Sequence, residues 1–155
     1  MAIFDAMFEF LDDTTIVTST GTTQGTTYKT LDFIDSDLEM GVGGAIWLNI
    51  KMGSKAYAGT GNVEFKLVSD DTPDGQDSDS DVVLSTGQRN VAAAPFITTG
   101  EWIFRAPLPV DVDPERYLGI LFESYGAAGV VGKVNAWLDH GPQSSFDTQV
   151  SASNI

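Results

Sequence analysis

The sequence predicts an all-β protein, an antiparallel β-sandwich of jelly-roll type. Apolar and polar residues alternate at period two in several short runs, which is the pattern of a sheet with one buried face. Turn-forming Gly, Pro, Asn and Asp recur roughly every 8–15 residues and separate about eight or nine such runs. No amphipathic helical stripe is legible beyond residue 13. A chain of 155 residues fits one domain and buries a core without covalent staples.

Residues 1–14 read as an N-terminal arm, 15–140 as the sandwich and 141–155 as a polar C-terminal tail. In the arm, Ile3, Phe4, Met7, Phe8 and Leu11 fit a helical stripe, while Phe8 and Phe10 also fit a short strand. So many large apolar groups ahead of the first turn have two uses: folding over the protein's own core or docking on a neighbour. Threonine-rich strands are expected over 15–19 and 26–33, because β-branched side chains suit a half-exposed sheet. An acidic loop follows, and its glycines Gly41, Gly43 and Gly44 lack the lysine and helix of a phosphate loop.

The run 45–52 is a strong strand, with Ile46, Leu48, Ile50 and Met52 on one side and Ala45, Trp47, Asn49 and Lys51 on the other. Residues 62–69 repeat this with Val63, Phe65 and Leu67 against Glu64 and Lys66. Residues 70–81 are acidic, with no apolar side chain that could join a core. A short strand over 82–86 and an edge segment over 91–98, interrupted by Pro95, come next. The stretch 100–139 holds the densest apolar sequence and reads as three strands. In the first, Trp102 and Phe104 alternate with Glu101, Ile103 and Arg105, and Pro107 and Pro109 bar an inner strand beyond it. The second starts at Arg116 and the third spans 130–138. In the tail only Phe146 and Val150 are apolar anchors.

Composition excludes several chemistries. The chain has no cysteine, which rules out disulfides, thiolate metal sites and thiol nucleophiles. Twenty-two Asp and Glu against eight Lys and Arg give a formal charge of −14, which repels phosphate backbones and anionic lipid heads. Neither a nucleic acid nor a membrane is expected as partner. The single histidine, His140, follows the last strand without the oriented partners that a general base needs. No enzyme activity and no cofactor are therefore expected. Asp77, Asp79 and Asp81 match the start of a calcium loop, but Val82 and Gln88 stand where that loop needs glycine and glutamate. Trp47, on the polar side of its strand, suggests a sugar-stacking platform. The simpler expectation is that all three tryptophans, Trp47, Trp102 and Trp137, pack internally or between subunits.

Three short pieces, Arg105-Ala-Pro-Leu-Pro-Val, Glu115-Arg116-Tyr117-Leu118 and Gly132-Lys133-Val-Asn-Ala-Trp-Leu, resemble a family of capsid cement (decoration) proteins of tailed phages. The resemblance extends upstream to Phe4-Asp5, to Gly41-Val42-Gly43, to the Ile-Trp-Leu-Asn-Ile strand and to 65–71. It implies a jelly roll, a homotrimer, and binding to the major capsid protein on the outer surface of a virion, after synthesis in the host cytoplasm. The contacts expected from unexplained apolar residues, rather than from the family, are Ile3, Phe4, Met7, Phe8, Phe10 and Phe146. A carbohydrate-binding sandwich and a tail structural subunit are the alternatives.

Overall fold

Nine strands form in the computed structural model, which describes residues 8–17, 24–32, 45–73, 80–109, 115–126 and 131–139. They are β1 (Glu9–Val17), β2 (Gln24–Asp32), β3 (Trp47–Met52), β4 (Asn62–Asp70), β5 (Asp81–Ser85), β6 (Arg89–Asn90), β7 (Trp102–Pro107), β8 (Tyr117–Tyr125) and β9 (Val131–Asp139). One sheet has the order β1-β9-β3-β7, and the other β2-β8-β4-β5 with the two-residue β6 also on β4. All pairings are antiparallel. With β6 counted beside β5, this is the strand order of a jelly roll.

The alternation in the sequence decides which side of each strand enters the core. Leu48, Ile50 and Met52 of β3 meet Val134, Ala136 and Leu138 of β9 on the inner face of the four-stranded sheet. Val63, Phe65 and Leu67 of β4, with Leu118, Ile120 and Phe122 of β8, line the inner face of the other. The Phe65 and Phe122 rings meet at 5.2 Å between centroids. β7 lies at a sheet edge and stops at Pro107, where a residue without an N–H does no harm to the ladder.

Three expectations change. The sandwich starts at Glu9, not after residue 14, because 9–17 pair with β9 through two register shifts. Those shifts break the period of two and hide the strand in the sequence. Phe10 and Leu11 lie in the core, so Phe10 is a packing residue rather than a surface contact. Residues 91–98 are turns, not an edge strand. Phe96 and Thr98 donate backbone hydrogen bonds to Ala93 and Pro95, and Val91 and Phe96 point inward. In β7, pairing passes from Ile50 with Phe104 to Lys51 with Trp102 across a bulge. Phe104 therefore packs toward the core while Trp102 faces away.

Two close fits fasten β9 to its surroundings. Gly132 lies under the buried ring of Tyr57, where a Cβ would stand 2.6–2.7 Å from three ring carbons. Tyr57 is held by an edge contact with Phe96 and by its N–H donating to the Phe96 carbonyl. Asp13, at a left-handed φ of 43° in the β1 irregularity, accepts hydrogen bonds from Lys133 Nζ at 2.6 Å and from the Ser54 N–H and hydroxyl at 2.7 Å. Its own N–H donates to Asn135 Oδ1. The bonds from Lys133 and Ser54 lower the Asp13 carboxyl to about 2.

Gly132→Ala should therefore overpack the Tyr57 site and cost about 1–3 kcal/mol, read as a fall in Tm of roughly 2–4 °C per kcal/mol. An Asp whose pKa is depressed on folding stabilises the fold above its unfolded value, and that contribution is lost as pH falls through its folded value. Asp13→Asn should be less stable than wild type at pH 7 in denaturant titrations, and the gap should close as pH falls from 3.8 toward about 2.

Candidate functional site

The outer face of the four-stranded sheet carries all three tryptophans of the chain. On β3, Trp47, Asn49 and Lys51 have the opposite parity to the core residues Leu48, Ile50 and Met52. Asn49 pairs with Trp137 of β9 on one side and with Arg105 of β7 on the other, and Lys51 pairs with Trp102. Strands that flank a common neighbour stand roughly 10 Å apart, yet the rings of Trp102 and Trp137 lie 5.6 Å apart between centroids. The two indoles thus lean toward each other across β3.

Between them Asn49 is fully enclosed. Its Nδ2 donates to the Trp47 carbonyl, and its Oδ1 has no hydrogen-bond partner. The Arg105 guanidinium lies 4.3 Å and the Lys51 ammonium 5.1 Å from the centre of the Trp102 ring. These are cation–π distances. Arg105 Nε and Nη2 are enclosed without a hydrogen-bond partner. Ion pairs elsewhere use Lys66 with Glu123, Arg116 with Asp32 and Lys133 with Asp13. Among the described residues no carboxylate pairs with Lys51 or Arg105.

The outer face of the other sheet carries a polar network. Tyr125 hydroxyl lies 2.5 Å from Glu123 Oε2 and 2.9 Å from Glu64 Oε2, Lys66 donates to Glu123, and Ser85 donates to Glu64 Oε1. Burial raises the Tyr125 phenol, and the two carboxylates raise it further. Burial pushes the Glu123 carboxyl up, but the bonds from Lys66 and Tyr125 outweigh this and hold it below its ordinary value. This network satisfies its own polar atoms within the sheet.

Of the contact residues expected from the sequence, Phe8 is 36% exposed just ahead of β1, and Phe10 is in the core. Ile3, Phe4, Met7 and Phe146 lie outside the described residues, as do His140 and the acidic segment 74–79. Glu9 pairs with Trp137, so the chain enters β1 and leaves β9 on the same side of the indole face. Among the described residues no three His, Cys, Asp or Glu side chains are grouped to hold a metal ion.

The sequence signal for Trp47, Asn49 and Lys51 was their shared parity. Trp102 and Arg105 were hidden by the β7 bulge, and the apolar surroundings of Trp137 in sequence concealed its outward parity.

A protein-family model, Bbp16, matches residues 11–138. The match runs from within β1 to within β9 and so takes in every strand of both sheets. The chain belongs to this family, which is phage-related. No curated protein matches the chain.

Removing the Tyr125 hydroxyl tests the polar face. Tyr125→Phe should cost about 1 kcal/mol at neutral pH. A phenol whose pKa rises on folding contributes fully below its unfolded value of 10.0 and loses that contribution at higher pH. The wild-type advantage in denaturant titrations should accordingly shrink above pH 10.

Proposed function

We propose that this chain is a capsid cement (decoration) protein. It binds the outer surface of a phage head as a homotrimer and stabilises contacts between major capsid proteins. The observation that carries this reading is the tryptophan face. The fold fills its core from the inner faces of the two sheets, and it sets all three indoles on the outer face of the four-stranded sheet, Trp137 buried and Trp47 and Trp102 half-buried. Large aromatics with an adjacent Arg are the side chains that dominate protein–protein contacts. Membership of a phage-related family and the resemblance of the Pro-Leu-Pro, Arg-Tyr-Leu and Gly-Lys-Val-Asn-Ala-Trp-Leu pieces to cement proteins support a virion component.

The action is adhesive, with no catalysis and no cofactor. Three copies of one modest contact raise the overall affinity by about 10²–10⁴ when all can engage together. A protein that binds the assembled shell and not its dissociated parts stabilises the shell by mass action. The carbohydrate-binding alternative would use the same face through Trp47. Its test is a glycan array, with loss of signal in Trp47→Ala.

Purified protein should co-sediment with assembled heads and raise the temperature at which they release DNA. Co-sedimentation with tails and not with heads would contradict the proposal in favour of a tail subunit. The apolar arm is tested by deleting residues 1–7, a truncation that stops short of β1. The shortened protein should fold, because Phe10 and Leu11 remain in place, and should lose head binding.

A further inference from the structure

We infer that the tryptophan face receives an acidic segment of its protein partner, with a carboxylate seated at Lys51 and Arg105 beside Trp102. This rests on the cement reading and adds the chemistry of the contact. In a chain with 22 carboxylates and eight basic side chains, most cations should find an anion within the molecule. Lys51 and Arg105 instead converge on one indole, and the described residues bring no carboxylate to either.

One further observation points to an external ligand. Arg105 Nε and Nη2 have no hydrogen-bond partner although they are enclosed. Buried donors and acceptors left unmade cost free energy, so a site that keeps them is set to gain when they are engaged. A guanidinium holds a carboxylate through two parallel N–H bonds, a geometry a neutral group cannot match. A carboxylate arriving at this face meets the Lys51 ammonium and the Arg105 guanidinium beside the half-buried Trp102 ring.

Charge complementarity decides the class of partner. A long polyanion such as DNA meets the field of the whole chain, whose net charge is −14. A single acidic side chain on a protein surface meets mainly the local pair of cations, because screening limits the rest to about 10 Å. A neutral glycan would need an open indole face for stacking and has no use for two cations. On Trp102 the guanidinium already lies against the ring.

The test measures binding of wild type, Lys51→Glu and Arg105→Gln to heads lacking the protein, with thermal melts as the folding control. Arg105→Lys serves as a second variant should Arg105→Gln melt early, because it keeps the charge and loses the fork. The inference expects affinity to fall about ten-fold or more in each folded variant and the salt dependence of binding to weaken. Wild-type binding with unchanged affinity in folded variants would overturn the inference and leave the head-binding reading intact.

If wild type does not bind heads, that reading fails, and a tryptophan-fluorescence titration decides the inference on its own. The probe is the peptide acetyl-Glu-Glu-Phe-Glu-Glu-amide at low salt. A response in wild type that is lost in Lys51→Glu supports the acidic-segment site. No response up to about 1 mM peptide, or an equal response to a neutral oligosaccharide that survives Lys51→Glu, overturns it.

Discussion

Strand β9 is paired on both sides, with β1 and with β3, and the four-stranded sheet depends on it. Its residues divide the work at period two. Val134, Ala136 and Leu138 enter the core, while Lys133, Asn135 and Trp137 face outward. Gly132 admits the Tyr57 ring, and so ties the turn segment 91–101, through Phe96, to the sheet. Lys133 and Asn135 both engage Asp13, which lets β1 carry its irregularity without leaving the ladder. The Gly-Lys-Val-Asn-Ala-Trp-Leu piece that signals a family is therefore a strand in which nearly every residue meets a separate steric or polar demand.

The two outer faces solve different problems. On the five-stranded sheet Glu64, Lys66, Ser85, Glu123 and Tyr125 pair with one another, which leaves a face closed on itself. On the four-stranded sheet Trp102 and Trp137 lean together over Asn49, with Lys51 and Arg105 at one ring. Trp137 is buried there, and Trp102 is half-buried beside it. Aromatic side chains on an outer sheet face favour association. Adhesion to a chosen partner then depends on that partner presenting the right charge as well as the right shape.

The jelly roll was legible because alternation survives in β3 and β4, whose inner residues follow from parity alone. It was not legible where the backbone departs from the ladder. The irregularities in β1 concealed a strand that carries Phe10 and Leu11 into the core, so the sandwich begins earlier than the alternation suggests. The bulge at Ile103 moved Trp102 and Phe104 to opposite faces. Turn hydrogen bonds at Phe96 and Thr98 replaced an expected edge strand. At the candidate site, parity exposed Trp47, Asn49 and Lys51. It could not show that Arg105 and Trp102 join them from a strand distant in sequence.

We propose an adhesive sandwich whose tryptophan face meets the shell of a phage head. A cryo-electron microscopy reconstruction of heads carrying the protein tests it most directly. The expected density is a jelly roll on the outer surface, as a trimer, with the outer face of the four-stranded sheet that carries Trp102 and Arg105 turned toward the major capsid protein. Density confined to the tail, or a bound sandwich whose β1-β9-β3-β7 face points to solvent, would contradict it.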